Sequence, residues 1–333
     1  MATYIGIKGG EIQTIAGDPA NPIEGQVWYN TTSNTVKCQT YVIGVGAWSA
    51  GGSFVNSRPD VGLCGIQTAA LVMGAQPTFL TDNAEKYDGS TWSETGDLVT
   101  GRGYMAAFGT QTAGVVGGGS PAPGVGTLTE TFDGTTWTEV NAQPFGTYAQ
   151  MRAGTLTAGL QAAGGFAAGT FRGTESLEWD GTNWTETGDI NTGRLYVGGG
   201  GTQTSGIFMG GSTPPYSDAV ETYNGSTWST TPASLNSART ALSGSASSAT
   251  NAICYGADSA PLSQLTESFD GTTWTEVADL AIGASESAFG STGSNTSCIC
   301  AGGAVNIGPG VRSGKTEEWN VAVGPATKTF TSS

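Results

Sequence analysis

The chain contains no histidine. That removes the commonest general base and the commonest metal ligand. Ser-His-Asp, Cys-His and His-metal constellations are therefore excluded. Five cysteines remain, Cys38, Cys64, Cys254, Cys298 and Cys300. Their number is odd and no C-x-x-C pair occurs, so no zinc site is expected. Cys298 and Cys300 stand two apart and would share one face of a strand. All five read as small buried hydrophobes. The other reactive groups are carboxylates and arginines. Most of them recur inside a repeated phrase, and no Asp/Glu pair stands outside it to cleave a glycosidic bond. No catalytic residue, no cofactor-binding residue and no metal ligand is assigned, and no cofactor is expected.

The elements that carry these residues are read from the repeat. "EKYDGSTW", "ETFDGTTW", "LEWDGTNW", "ETYNGSTW" and "ESFDGTTW" end at Trp92, Trp137, Trp184, Trp228 and Trp274. The tryptophans step by 45, 47, 44 and 46 residues. This period suits one four-stranded blade of a propeller. Asp-Gly or Asn-Gly between two aromatic-bearing runs predicts a tight hairpin with a type I′ turn. The run before the turn is strand c and the Trp run is strand d. An apolar run such as "YMAAF" is strand a. Strand b follows a "GTQT" turn at 109–112 or 201–204, or "GIQT" at 65–68, and ends on glycines such as Gly117-Gly118, Gly164-Gly165, Gly210-Gly211 and Gly302-Gly303. Met73-Gly74 and Tyr255-Gly256 are weaker copies.

Six strand-c aromatics are found: Tyr87, Phe132, Trp179, Tyr223, Phe269 and Trp319. The sixth, in "TEEWN", has no Trp after it. Trp48, in "GAWSAGGSFVNSR", lies ten residues before Arg58, as Trp92 lies ten before Arg102 and Trp184 ten before Arg194. The expected fold is an all-β, six-bladed β-propeller of four-stranded blades, closed by an N-terminal strand at Trp48. "ATKTFT" at 326–331 is the rival outer strand. The repeated Trp and strand-c aromatic read as core. The repeated Asp reads as a turn residue.

Composition narrows the partners. The formal net charge is −15, with a pI near 4.2. Such a chain repels phosphate backbones and anionic lipid, so no nucleic acid and no membrane insertion are expected. No apolar run reaches membrane-spanning length. No secretory signal opens the chain, which points to synthesis in a cytoplasm. Residues 1–35 read as an N-terminal arm and docking segment, with Tyr4, Ile5, Ile7, Ile12 and Ile15 as its apolar contacts. Residues 36–333 read as the propeller.

The Gly pair, the E-x-aromatic-Asp-Gly turn and the Trp together resemble the kelch propeller repeat, over about 48–319. Arg58, Arg102, Arg194 and Arg239 resemble the kelch arginine after strand d. The fifth blade departs by losing its Gly pair, and the third carries extra residues at "TESLEWDG". "DGTTW" is also similar to the Asp box of sialidase-type propellers, S-x-D-x-G-x-T-W, but here Asp and Gly are adjacent and the box is not matched. "GQVWYNTTSNTVKCQTY…GAW", from Gly25 to Trp48, is similar to a short motif of bacteriophage tail and fibre proteins.

That last resemblance implies a non-enzymatic virion component of the tail or particle surface. It would dock by its arm onto other virion proteins, as a homo-oligomer or part of a larger assembly, and bind a neighbouring virion protein or a host-surface glycan. A glycan-cleaving propeller enzyme and an intracellular kelch-like adaptor are the alternatives. Variable b–c loops are the expected binding surface, with Phe79, Phe171, Arg172, Tyr216, Arg312 and Lys315 as contacts.

Overall fold

A computed structural model of the chain describes residues 12–23, 25–75, 82–120, 126–166, 173–212, 215–258, 262–285, 293–305 and 314–330. It is all-β, with a single short 3₁₀ turn at Leu262–Gln264 among the described residues. Five antiparallel sheets have four strands each, in the order a-b-c-d. Sheet 1 is Gly62–Ile66, Ala69–Met73, Ala84–Tyr87 and Trp92–Glu94. Sheet 2 is Ala106–Thr110, Ala113–Gly117, Thr129–Phe132 and Trp137–Val140. Sheet 3 is Met151–Thr155, Ala158–Ala162, Ser176–Trp179 and Trp184–Thr187. Sheet 4 is Gly198–Thr202, Ser205–Met209, Val220–Tyr223 and Trp228–Thr230. Sheet 5 is Ser243–Ser248, Asn251–Tyr255, Thr266–Phe269 and Trp274–Glu276. A further sheet, here the terminal sheet, joins the chain ends in the order Gln13–Ile15, Val27–Asn30, Thr35–Ala50, Thr316–Phe330, Ser297–Ala301. The fold is propeller-like.

The chain divides into two compact units, residues 1–45 with 321–333, and residues 46–320. In the first, Gln13–Ile15 pairs in parallel with Val27–Asn30, so the described part of the N-terminal segment is folded onto the "WYN" hairpin. Asp18 accepts hydrogen bonds from Trp28 Nε1 (3.1 Å), Asn30 Nδ2 (2.7 Å) and Lys37 Nζ (3.0 Å). Trp28 is fully buried there. Residues 326–330 continue the strand that begins at Thr316.

In the second unit, each strand-c aromatic stacks on a strand-d Trp. Tyr87–Trp92, Phe132–Trp137, Trp179–Trp184, Tyr223–Trp228 and Phe269–Trp274 lie 4.8–5.3 Å apart between ring centroids. Trp48 and Trp319, from opposite ends of the chain, make the equivalent contact at 5.4 Å. Its closeness requires Gly46, where a Cβ would fall 1.9 Å from the Trp319 ring. Such pairs bury large apolar areas and fix ring geometry.

The c–d connection differs from the expected type I′ turn. Tyr87 pairs with Trp92 across four loop residues. Gly89 has a positive φ, whereas Asp88 is absent from the positive-φ residues. The Asp side chain does the work instead. Asp88 Oδ1 accepts the backbone N–H of Ser90 and of Thr91, both at 2.8 Å. Asp133, Asp180, Asn224 and Asp270 repeat this arrangement. An acceptor that binds backbone two and three residues on makes a stable local turn without left-handed strain.

The glycine signature after strand b also resolves more finely than the sequence suggested. One position takes positive φ in every sheet, Gly74, Gly118, Ala163, Gly210, Gly256 and Gly302, and in four of them the next glycine does so too: Gly119, Gly164, Gly211 and Gly303. A Cβ at Gly74 would lie 2.2 Å from the Arg102 carbonyl oxygen. The fifth sheet keeps this glycine at Gly256, so the pair is not the structural requirement. In sheet 3 Ala163 tolerates the conformation, at the usual steric cost for a residue with a Cβ.

Candidate binding face

Four arginines that end the d–a connections are consumed by the scaffold. Arg58 pairs with Glu85 at 2.7 Å, Arg194 with Glu221 at 2.9 Å and Arg239 with Glu267 at 3.0 Å, and Arg102 pairs with Glu130. All eight side chains are buried. Each glutamate is the second residue of strand c. Its carboxylate also accepts the backbone N–H three residues before the arginine: Val55, Val99, Asn191 and Asn236. The guanidinium of Arg102 and that of Arg194 further donate to the carbonyls of Gly118 and Gly210. Burial lowers the Arg58 and Arg194 pKa values, opposed by the facing glutamates. These groups hold the b–c and d–a ends of the sheets together.

A second set of contacts ties successive sheets. The indole of each strand-d Trp points at the first residue of a neighbouring strand c. Trp184 donates to Thr129 Oγ1 (2.8 Å), Trp228 to Ser176 Oγ (2.9 Å), Trp48 to Thr266 Oγ1 (3.1 Å) and Trp92 to Thr316 Oγ1 (2.8 Å). The same strand-c position is Ala84 in sheet 1 and Val220 in sheet 4. The two corresponding indoles, Trp137 Nε1 and Trp274 Nε1, have no hydrogen-bond partner. Turn glutamines act in parallel. Gln111 donates to the carbonyls of Ala70 and Tyr87, and Gln203 to those of Gly159 and Trp179. Gln67 reaches Glu318 and Ser297. Tyr87 donates to Glu318 Oε1 (2.6 Å), as Tyr223 does to Glu178 Oε1 (2.7 Å). Burial first, then these bonds, pushes both phenols up to about 12.

At the end of the sheets that carries the b–c and d–a connections, two of the candidate contacts are described, Tyr216 and Lys315. Tyr216 is exposed and donates to Asp258 Oδ2 at 2.7 Å, joining the segments that follow strand b in sheets 4 and 5. That bond raises the Tyr216 pKa. Lys315 is exposed, and its carbonyl accepts from Gly302 N–H. Phe79, Phe171, Arg172 and Arg312 lie outside the described residues, as do Tyr4, Ile5 and Ile7 of the arm. Ile12 is exposed and Ile15 half-buried in the short parallel strand.

The d–a connections add residues that the sequence reading passed over. Asp60, Tyr104, Ala149, Tyr196 and Ala241 stand at equivalent positions, all with φ between 54° and 57°. Tyr104 N–H donates to the Asp60 carbonyl, Ala149 N–H to Tyr104 and Ala241 N–H to Tyr196. These bonds join successive d–a connections just before their a strands begin. The rings of Tyr104 and Tyr196 meet edge-to-face at 6.1 Å and are half-exposed. The signal was present as a tyrosine two residues after the arginine in "RGY" and "RLY".

Among the described residues no cluster of three or more Cys, Asp or Glu could hold a metal ion. Cys64, Cys254, Cys298 and Cys300 are buried thiols, and burial pushes Cys64 and Cys254 up to about 12. No helix of the described residues is long and apolar enough to cross a membrane. No family model and no curated protein matches the chain. The class that fold and face define is an all-β, propeller-like protein in which four buried Arg–Glu pairs lock the ends of sheets.

Proposed function

We propose that the chain is a kelch-like, six-bladed propeller that serves as a non-enzymatic component of a bacteriophage tail or fibre. The observation that carries the binding reading is the fate of the ionisable groups. The recurrent arginines and glutamates are buried against each other, and four of the five recurrent turn positions are aspartates that bind their own backbone. What the b–c and d–a face offers a partner is aromatic and hydrogen-bonding surface, Tyr216 with Asp258 and Tyr104 with Tyr196. Such surface suits sugar stacking or a protein interface.

Closure by the chain ends is supported by contacts that step from one sheet to the next. Trp92 to Thr316 and Tyr87 to Glu318 link sheet 1 to the terminal sheet, as Trp184 to Thr129 links sheet 3 to sheet 2. Trp48 to Thr266 links the terminal sheet to sheet 5. Phe54, Leu63, Val72, Trp92, Ile299 and Ala301 share one core cluster. In this reading residues 46–50 are strand d of a sixth blade whose other strands come from the C-terminal part. A closed ring removes the open edges that would otherwise template aggregation.

The phage assignment rests on the "WYNTTSN" resemblance. The arm would dock onto another virion protein, and the loop face would meet a neighbour or a host-surface glycan. Deleting Met1–Glu24 should abolish incorporation into particles while residues 46–320 keep their thermal transition. Normal incorporation would contradict the docking role. Release of reducing ends from host polysaccharide by the purified chain would contradict the non-enzymatic role.

A further inference from the structure

The six strand-c aromatics come in one order, written twice: Tyr87, Phe132, Trp179, then Tyr223, Phe269, Trp319. The strand-d tryptophans follow the same spacing. Trp48 and Trp184, Trp92 and Trp228, and Trp137 and Trp274 stand 136, 136 and 137 residues apart. The finer pattern therefore repeats every three sheets, not every sheet. Contacts between sheets repeat with it. Tyr87 donates to Glu318 Oε1 and Tyr223 to Glu178 Oε1, at 2.6 and 2.7 Å. Trp92 donates to Thr316 Oγ1 and Trp228 to Ser176 Oγ, at 2.8 and 2.9 Å. Trp48 and Trp184 bond the hydroxyls of Thr266 and Thr129. The position that would bond Trp137 and Trp274 is apolar in both cases, Ala84 and Val220, and both Nε1 atoms lack a partner. The indoles of Trp179 and Trp319 each donate to a carbonyl of the turn before strand b, Leu156 and Asn295, both at 2.8 Å. The d–a positions of the binding face do not follow the repeat. Tyr104 has Ala241 as its counterpart and Tyr196 has Asp60, 137 and 136 residues away.

We infer that the chain is a fused pair: residues 46–179 and 184–320 are two copies of one three-sheet unit, and each docks on the other through a matching donor surface and acceptor surface. This rests on the six-bladed reading above. The donor surface is a strand-c tyrosine with its strand-d tryptophan, Tyr87 and Trp92 in sheet 1 or Tyr223 and Trp228 in sheet 4. The acceptor surface is the first and third residues of a strand c, Ser176 and Glu178 or Thr316 and Glu318. Each unit carries one surface of each kind. Residues 46–179 donate from sheet 1 and accept at sheet 3, and residues 184–320 donate from sheet 4 and accept at 316–318. Each unit also lends the other its first strand. Trp184 packs on Trp179 with ring centroids 5.3 Å apart, and Trp48 on Trp319 at 5.4 Å. A unit that carries both halves of one joint is complementary to a second copy of itself, and two copies close with two-fold symmetry. The acceptors are interchangeable in chemistry. In a pair of like units Trp92 would meet the Ser176 hydroxyl where it now meets that of Thr316, and Tyr87 would meet a glutamate in either case. The partner this surface fits is therefore another unit of the same kind, here supplied by the same chain.

Two double-mutant cycles on the full chain test the equivalence of the joints: Tyr87→Phe with Glu318→Gln, and Tyr223→Phe with Glu178→Gln, each read from denaturant unfolding. Each cycle should show a coupling of about threefold or more in the folding equilibrium, and the two should agree within about threefold. Coupling at one joint without the other, or at neither, would overturn the inference. A second measurement cuts the joint region itself. A protease site inserted between Gly181 and Thr182, in the exposed c–d turn of sheet 3, cleaves the folded full chain into its two units. Native mass spectrometry should show the cut chain as one particle of full mass. When isotope-labelled and unlabelled cut chains are mixed, particles with two copies of 1–181 or two copies of 182–333 should appear beside the mixed ones. Separation of the units on cutting, or exchange of label that never yields like pairs, would overturn the inference. Absence of the Trp48–Trp319 contact from a density map would count against the six-bladed reading itself, whereas unequal cycles with that contact present count against the fused pair alone.

Discussion

In sheet 2 a buried guanidinium, Arg102, meets the Glu130 carboxylate across the end of the strands. In sheet 3 the equivalent positions are Thr147, ten residues after Trp137 as Arg102 is ten after Trp92, and Leu177, second in strand c as Glu130 is. Both partners are gone together. A neutral ring replaces them: Thr147 donates to Gln143 Oε1 (2.9 Å), Gln143 to Gln161 Oε1 (2.8 Å) and Gln161 to Thr147 Oγ1 (2.8 Å). All three side chains are buried. A buried ion pair is dear to desolvate and can be exchanged for a satisfied neutral arrangement, but not dismantled one partner at a time. The exchange in sheet 3 argues that the charges of sheet 2 are architectural, whereas in the terminal sheet Ala284 replaces the arginine alone and the buried Glu317 accepts the N–H of Ala281 and Ile282.

The largest effect expected from this contrast is the loss of one partner. Glu130→Ala should destabilise by about 3–5 kcal/mol, because it strands a buried guanidinium. Calorimetry would read that as a fall in midpoint. Arg102→Leu/Glu130→Leu should recover most of the loss, making sheet 2 resemble sheet 3. A double variant as unstable as the single one would break the analogy.

The indole contacts sharpen the comparison at a smaller scale. Thr129→Val removes the acceptor of Trp184 and should cost about 1–3 kcal/mol, the price of an unsatisfied buried donor. Val220→Thr runs the other way, offering the Trp274 indole a hydroxyl it lacks, and should stabilise by about 1 kcal/mol. Denaturant midpoints for the two variants should move in opposite directions.

The turn aspartates give the smallest effect, read as pH dependence. Backbone N–H donors hold Asp88 and Asp270 down to about 2 and lower Asp133 and Asp180 likewise. A depressed folded pKa contributes stability that is present above the unfolded value, about 3.9. It is lost as pH falls through the folded value. Acid unfolding should therefore steepen below about pH 4. Asn224 makes the same backbone contacts without a titrating group. Asp88→Asn should flatten the profile between pH 4 and about 2 while changing neutral stability little.

The repeat, the hydrophobic aromatic pairs and the place of Trp48 were legible because each depends on short spacing along the chain. The turn type departs from the expected I′ because Asp-Gly also suits a loop in which the Asp side chain, not its backbone, does the turning. Glu85, Glu130, Glu221 and Glu267 went unassigned as partners because their arginines lie on another connection and meet them only after strands b and c fold back. Tyr104 and Tyr196 were passed over for a similar reason. Nothing along the chain shows that two d–a connections converge until the inner strands stand side by side. Tyr216 is exposed on a b–c loop, and its bond to Asp258 joins two loops distant in sequence. The other five loop-face choices differ: Lys315 is exposed, and Phe79, Phe171, Arg172 and Arg312 fall outside the described residues.

The central claim is that six sheets surround one axis and that residues 46–50 complete the last of them. An experimental density map of the full chain tests it most directly. The account predicts six sectors, with the Trp48 ring against Trp319 and its strand hydrogen-bonded to residues 316–320. Any other number of sectors, or residues 46–50 placed away from Trp319, would contradict it.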